Sequence, residues 1–78
     1  MQRFYFDVYD SDGLETDTEG QLFETPERAR TEALRILHDI AYEEMPDVNL
    51  VKITVKIRTD GDQEIFEASL TLTSDWSR

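Results

Sequence analysis

A strict alternation of apolar and polar residues is the strongest signal along the chain, and it predicts half-buried β-strands. Residues 4–10 alternate with aromatic and valine side chains on one side, and residues 51–58 alternate over their whole length. Residues 65–73 alternate again, directly after the hairpin signal Asp60-Gly61-Asp62. One face of these strands carries the apolar side chains of Phe4, Phe6, Val8, Val51, Ile53, Val55, Ile57, Phe66, Ala68, Leu70 and Leu72.

A single amphipathic helix is predicted from Pro26 to about Glu44. The Thr25 hydroxyl can cap the helix by accepting from a backbone N–H, and Pro26 at the first helical position loses no hydrogen bond. Pro46 ends the helix because proline disfavours helical geometry in the residue before it, and residues 47–50 follow as a loop. At about 100° per residue, the apolar face of the helix consists of Ala29, Ala33, Ile36, Leu37, Ile40 and Ala41.

The region between the first strand and the helix is weakly patterned. Residues 14–17 predict a short second strand, Thr18-Glu19-Gly20 a turn, and residues 21–23 an extension along the sheet. The predicted order is therefore β-β-α-β-β. This order favours a two-layer α+β fold in which one helix packs on one face of an antiparallel sheet.

Length and composition limit the class of protein. The chain has 78 residues and no cysteine, so we expect one α+β domain, residues 1–73, and a C-terminal tail, residues 74–78. No apolar run approaches the roughly 20 residues of a membrane-spanning helix, and Met1-Gln2-Arg3 leads into a strand rather than a signal peptide. We therefore expect a soluble, cytoplasmic protein. A small core without disulfides favours support from a second copy, and hence a homodimer.

The charge is strongly negative and unevenly distributed. The formal net charge is −10, and eight of the 18 acidic residues lie within residues 1–27, where Arg3 is the sole base. Residues 51–58 carry three bases and no acid. Net acidity repels phosphate backbones, so nucleic acid is a disfavoured partner, and a basic partner or simple solubility fits better.

The acidic stretch from Asp10 to Gly13 raises the question of a calcium loop. When the EF-hand template is aligned on the glycine, Asp10, Asp12 and Glu19 fall on ligand positions. However, Val8 stands where the first ligand belongs. The simpler prediction is a solvated turn whose aspartates accept hydrogen bonds from their own backbone.

No catalytic group can be assigned from the sequence. His38 is the only histidine, and there is no cysteine or second histidine with which it could share a metal ion. The three glycines all lie in predicted turns, and the chain has no phosphate-binding or nucleophile motif. We therefore expect a protein that is not an enzyme and that binds no cofactor and no metal.

The polar face of the sheet is the first candidate surface for a partner. It is formed by Tyr5, Asp7, Tyr9, Lys52, Lys56 and Arg58. Asp7 lies there either in an exposed cross-strand ion pair, worth well under about 1 kcal/mol, or as a contact for a partner. Tyrosines beside basic residues are also typical of sheets that stack single-stranded bases, although the net acidity opposes this use.

A strip on the flank of the helix is the second candidate surface. It consists of Leu34, His38, Tyr42 and Met45, and it lies beside the predicted core face. The strip either widens the contact of the helix with the sheet or is buried between two copies of the chain.

A family resemblance is carried by three segments, F-Y-F-D-V-Y-D-S-D-G, D-T-E-G-Q-L-F and P-E-R-A-R-T-E-A-L-R-I-L. Together they resemble an uncharacterised family of short bacterial proteins that open with a Y-(Y/F)-F-D-x-x-D-G type strand. This resemblance implies a small α+β domain and no established activity. More loosely, two strands followed by an alanine-rich helix resemble the antitoxins of HicA–HicB-type pairs, which bind a small basic toxin.

The sequence thus leads to two functional hypotheses. The first is a small, non-enzymatic protein-interaction module that forms a homodimer. The alternative is a nucleic-acid-binding or antitoxin-like regulatory domain that uses the polar face of the sheet.

Overall fold

A computed structural model describes residues 1–45 and 49–77, and it shows one helix lying against an antiparallel sheet. This arrangement confirms the predicted two-layer α+β fold. In chain order the elements are β1 (Gln2–Asp10), β2 (Gly13–Glu15), β3 (Gln21–Phe23), α1 (Pro26–Glu44), β4 (Leu50–Arg58) and β5 (Glu64–Thr73).

The sheet contains one strand more than the sequence predicts. Its order is β2-β1-β4-β5, and β3 also pairs with β1. β2 pairs with residues 8–10 and β3 with residues 2–4, so the two short strands follow each other along the edge of β1 that faces away from β4. The predicted order β-β-α-β-β is therefore corrected to β-β-β-α-β-β. The predicted second strand, residues 14–17, is shorter in the structure, and the predicted extension, residues 21–23, forms a separate strand.

The core lies between α1 and the inner face of the sheet. Every second residue of β4 is fully buried, as the alternation predicts, and Phe4 and Phe6 of β1 lie beside them. The helix buries Ala29, Ala33, Leu37 and Ala41. Alanine side chains allow the helix axis to approach the strands closely, so large residues from the sheet can fill the interface.

The helix begins where the sequence predicts. The Thr25 hydroxyl accepts a hydrogen bond from the Arg28 amide at 3.2 Å, and Pro26 is the first helical residue. The helix ends at Glu44. Pro46 and the first two residues of the predicted loop, 47 and 48, lie outside the described residues.

The last hairpin is closed by residues with positive φ. Gly61 has φ +84° and Asp62 has φ +63°, and the Thr59 amide donates to the Gln63 carbonyl at 2.9 Å. After β5 the side chain of Trp76 is 90% exposed, so it does not pack on the domain. No helix in the described ranges is both long and apolar enough to cross a membrane.

The helix covers the sheet unevenly. The inward residues of β4 are completely buried, whereas those of β5 are only partly buried. The reason is that β5 is an edge strand beyond the part of the sheet that α1 covers best. An apolar channel therefore remains open between α1 and β5.

Gly20 should be far less tolerant of a side chain than Gly61. Both have positive φ, but a Cβ on Gly20 would lie 2.8 Å from Arg3 Cγ and 2.9 Å from the Phe4 carbonyl oxygen. A Cβ on Gly61 would meet nothing within 4 Å. We predict that Gly20→Ala lowers the free energy of unfolding by about 2–4 kcal/mol and Gly61→Ala by about 1–2 kcal/mol. Urea denaturation measures both, and equal losses would contradict this account.

Candidate functional site

The polar face of the sheet brings together the side chains that the sequence assigns to it. Asp7 lies opposite Lys56 and Tyr5 lies opposite Arg58 in the register of β1 and β4. Lys52 is at the far end of β4, where it lines the same shallow recess as Tyr9. The six predicted residues thus share one surface, but they do not act as six independent groups.

Arg58 is the centre of this surface. Its Nε donates to Asp7 Oδ2 at 2.7 Å and its Nη2 to Asp7 Oδ1 at 3.2 Å, so the pair is bidentate. Nη2 also donates to the Asp17 carbonyl at 2.8 Å, and Nη1 to Asp62 Oδ1 at 3.0 Å. The guanidinium carbon lies 4.9 Å from the centre of the Tyr5 ring. Arg58 is therefore engaged on all sides by its own chain.

Asp17 is the structural residue that the sequence analysis missed. It lies in the break between β2 and β3, where β1 has no strand to pair with. Its Oδ2 accepts from the Phe6 amide at 3.1 Å, and its Oδ1 accepts from the amides of Glu19 and Gly20 at 3.1 and 3.0 Å. The carboxylate thus replaces the missing strand partner. The spacing of Asp17 and Gly20, typical of a turn held by an aspartate, was the available signal.

Asp7, Asp17 and Arg58 form one cluster, which we call the Asp7–Asp17–Arg58 cluster. The Asp17 amide donates to Asp7 Oδ1 at 3.0 Å, while Arg58 contacts both aspartates. Among the described residues, every buried side-chain nitrogen and oxygen has a hydrogen-bond partner. The cluster is therefore fully satisfied, as a buried polar network has to be.

Burial makes this ion pair different from the exposed pair that the sequence predicts. Asp7 is only 7% exposed, because residues 16–20 fold across it and Arg58 covers it from β4. Burial alone would raise the pKa of Asp7. The hydrogen bonds from Arg58 and from the Asp17 amide outweigh burial, so the pKa of Asp7 is lowered. Removing one partner of such a pair costs more stability than breaking an exposed pair, because the remaining charge is left buried.

The pKa of Asp17 is lowered for a similar reason. Burial would raise it, but the amides of Gly20, Phe6 and Glu19 all donate to the carboxylate and favour its charged form. Both aspartates of the cluster are therefore ionised in the folded protein at neutral pH.

Lys56 is also neutralised within the chain. Its Nζ lies 3.3 Å from Glu64 Oε1 and 3.5 Å from Glu67 Oε1, and 5.1 Å from the centre of the Tyr9 ring. Two of the three cations of the polar face thus already have carboxylate partners. Electrostatic attraction of a phosphate backbone to this face is correspondingly weak.

The predicted strip on the helix lines one side of the channel between α1 and β5. This groove has a volume of about 340 Å³ and opens to solvent. Its floor and walls are formed by Leu34, Leu37, His38, Ala41, Tyr42, Met45, Ala68, Ser69 and Leu70. Tyr42 is 70% exposed, whereas Leu34 and Met45 are 38% and 41% exposed. The His38 ring is exposed as well, and its Nδ1 lies 3.2 Å from Asp39.

The acidic stretch after β1 is a turn, as predicted. The Asp12 amide donates to Asp10 Oδ1 at 2.8 Å. Carboxylate oxygens of Asp10, Asp12 and Glu44 all lie within 4.8 Å of one another, whereas Glu19, the predicted third ligand, is not in this group. Partial burial and the charges of neighbouring acids, Asp10 first among them, raise the pKa of Glu44. The close approach of these acids is therefore repulsive.

The geometry defines a small two-layer α+β domain with two surfaces. On the polar face of the sheet Arg58 and Lys56 are paired with carboxylates of the same chain, and between α1 and β5 an apolar groove is open. A family model described as a domain of unknown function, DUF6894, matches residues 3–71, and the chain belongs to this family. Membership confirms the predicted resemblance to an uncharacterised family, while the looser likeness to HicB-type antitoxins stays a prediction. No curated protein and no solved structure matches the chain.

We predict that the two carboxylates bound to Arg58 differ sharply in their effect on stability. Asp7→Asn leaves a half-buried guanidinium without its main counter-charge, and we expect it to lower the free energy of unfolding by about 2–4 kcal/mol. Asp62→Asn removes a carboxylate that is 88% exposed, and we expect a loss of about 0.5 kcal/mol or less. Chemical denaturation at neutral pH measures both variants. Similar losses would show that burial of the cluster is unimportant.

Proposed function

We propose that this protein is a non-enzymatic protein-interaction module that works as a homodimer, with the groove between α1 and β5 as its contact surface. The observation that carries the proposal is the groove itself, in which the predicted strip and the half-covered face of β5 meet. An apolar channel of this kind, open on a small domain, is typical of a surface that a partner covers.

The side chains along the groove are of the type that supports association. Tyr42 is 70% exposed, and Leu34 and Met45 are exposed beside it. Tyrosine and methionine are enriched at protein interfaces, and tyrosine is frequent among the residues that dominate binding energy. Covering these side chains and the inner face of β5 would enlarge the core, which is limited in a chain of only 78 residues.

The charge distribution favours a second copy as the occupant. The chain carries 18 acidic residues and a net charge of −10, so most of its surface repels another copy. Within residues 1–45 and 49–77, no aspartate, glutamate, lysine or arginine lines the groove. Two copies that meet there keep their like charges away from the centre of the contact, which lowers the electrostatic cost of association.

The alternative function, nucleic-acid binding or antitoxin-like regulation on the polar face of the sheet, has weaker support. Arg58 and Lys56 are bound to Asp7, Glu64 and Glu67 of the same chain. A phosphate would have to displace these carboxylates and approach against the net charge. We include a cytoplasmic location in the proposal, because it is compatible with either function.

Tyr42→Glu should weaken the dimer without unfolding the monomer. The substitution places a charge in the groove, at a side chain that contributes little to the monomer core because it is largely exposed. We predict a dissociation constant raised by about tenfold or more, since an interface tyrosine is commonly worth at least about 1.4 kcal/mol. Sedimentation velocity over a range of concentrations measures it.

The matched control is Leu22→Glu, which places the same charge on an exposed apolar residue of β3, away from the groove. It should leave the dissociation constant unchanged. Circular dichroism checks that both variants keep the fold. A wild-type chain that sediments as a monomer at every concentration would contradict the proposal.

A further inference from the structure

The two edges of the sheet are built very differently. The edge beyond β1 is formed by two strands of three residues each, broken by the loop that Asp17 holds. Short and interrupted edge strands cannot template the addition of another strand. The opposite edge is β5, a strand of ten residues without proline, and no strand among residues 1–45 and 49–77 pairs with its outer side. Only this second edge can accept another strand over a long stretch.

We infer that two copies of the chain join through this edge, with β5 of each copy pairing antiparallel about a two-fold axis at Ser69. The inference rests on the proposed homodimer and adds its geometry. Each half contributes its sheet to one continuous sheet, and both helices lie on the same face of it. A two-fold axis perpendicular to the sheet is the symmetry that relates two identical antiparallel neighbours.

The hydrophobic pattern selects the register. Opposite residues of an antiparallel pair point to the same face, so a shift by one residue would place apolar side chains against polar ones. Residues 66–72 alternate without interruption after the irregularity at Ile65, and Ser69 is their midpoint. Centring the axis on Ser69 pairs this whole stretch with itself. Ala68 then lies opposite the partner's Leu70, and Phe66 opposite the partner's Leu72, all on the helix side.

The charges agree with this register. Glu64 and Glu67 are the only charged residues of β5, and both are near Lys56 of their own chain. With the axis at Ser69, Glu67 lies opposite the partner's Thr71. A register centred on Glu67 would instead place two glutamates side by side, which costs stability. The residues nearest the proposed axis carry no charge.

The same arrangement accounts for the groove. The groove is lined by Ala68, Ser69 and Leu70 from the middle of β5, where the axis would pass. Across the axis the two helices lie side by side above the paired strands. Their facing flanks carry the strip of Leu34, His38, Tyr42 and Met45, which would then cover the half-exposed inner faces of both β5 strands.

Single cysteines test the register, because the natural chain has no cysteine. Cα atoms of directly opposite strand residues are about 4.5–5.5 Å apart, which a disulfide can span. We expect Ser69→Cys to form a covalent dimer rapidly under mild oxidation. In the described part of the chain the Ser69 hydroxyl bonds only to the Thr54 hydroxyl, so its replacement should leave the fold intact. Thr71→Cys, on the same face, would lie opposite the partner's Glu67 and should cross-link at least about tenfold more slowly.

A mixture of two cysteine variants provides a second test of the register and leaves Ser69 unchanged. An equimolar mixture of Glu67→Cys and Thr71→Cys chains should form the mixed disulfide in preference to either symmetric one. Equal cross-linking of all variants, or preference for another position, would overturn the inferred register. If the register is overturned in this way but the wild-type chain still sediments as a dimer, the proposed function survives. If the chain is monomeric and no variant cross-links, both the function and the register fail.

Discussion

The buried ion pair between Asp7 and Arg58 is the interaction on which the rest of the structure depends. It joins β1 to the end of β4, and through the Asp17 amide it holds the loop that divides β2 from β3. The Asp17 carboxylate in turn binds the Phe6 amide, which would otherwise lack a partner at the break. A buried ion pair is stabilising only when its hydrogen bonds are complete. Here the hydrogen bonds are complete, because the loop, the edge of β1 and Arg58 satisfy one another's polar groups.

This cluster also determines which surfaces are available for binding. Arg58 is paired with Asp7, and Lys56 is paired with Glu64 and Glu67, so two of the three cations that an anionic partner would need on the polar face are neutralised within the chain. The cluster also holds the loop between β2 and β3. The edge of the sheet along β1 therefore consists of two short strands and is protected from pairing with another chain. What remains is the opposite side of the molecule, where an unbroken edge strand meets an apolar groove. The proposed dimer follows from this asymmetry.

The sequence predicts those features that depend on neighbouring residues. Alternation over residues 51–58 assigns each side chain to a face because a strand has a period of two, and Thr25 with Pro26 marks the helix start. The burial of Asp7 could not be predicted, because it depends on Asp17, ten residues away, and on Arg58 in another strand. The role of Asp17 was missed because a side chain, rather than a strand, satisfies the Phe6 amide.

The pH dependence of stability, compared between the natural chain and Asp7→Asn, tests the role of the cluster most directly. The pKa of Asp7 is lower in the folded than in the unfolded chain, where it is about 3.9. The stabilisation that Asp7 provides through its charge is therefore complete above the unfolded pKa, and it is lost as the pH falls through the folded pKa. We predict that the difference in free energy of unfolding between the two proteins is large at neutral pH and shrinks steadily below about pH 4. A difference that is absent, or that persists unchanged into strong acid, would contradict the account.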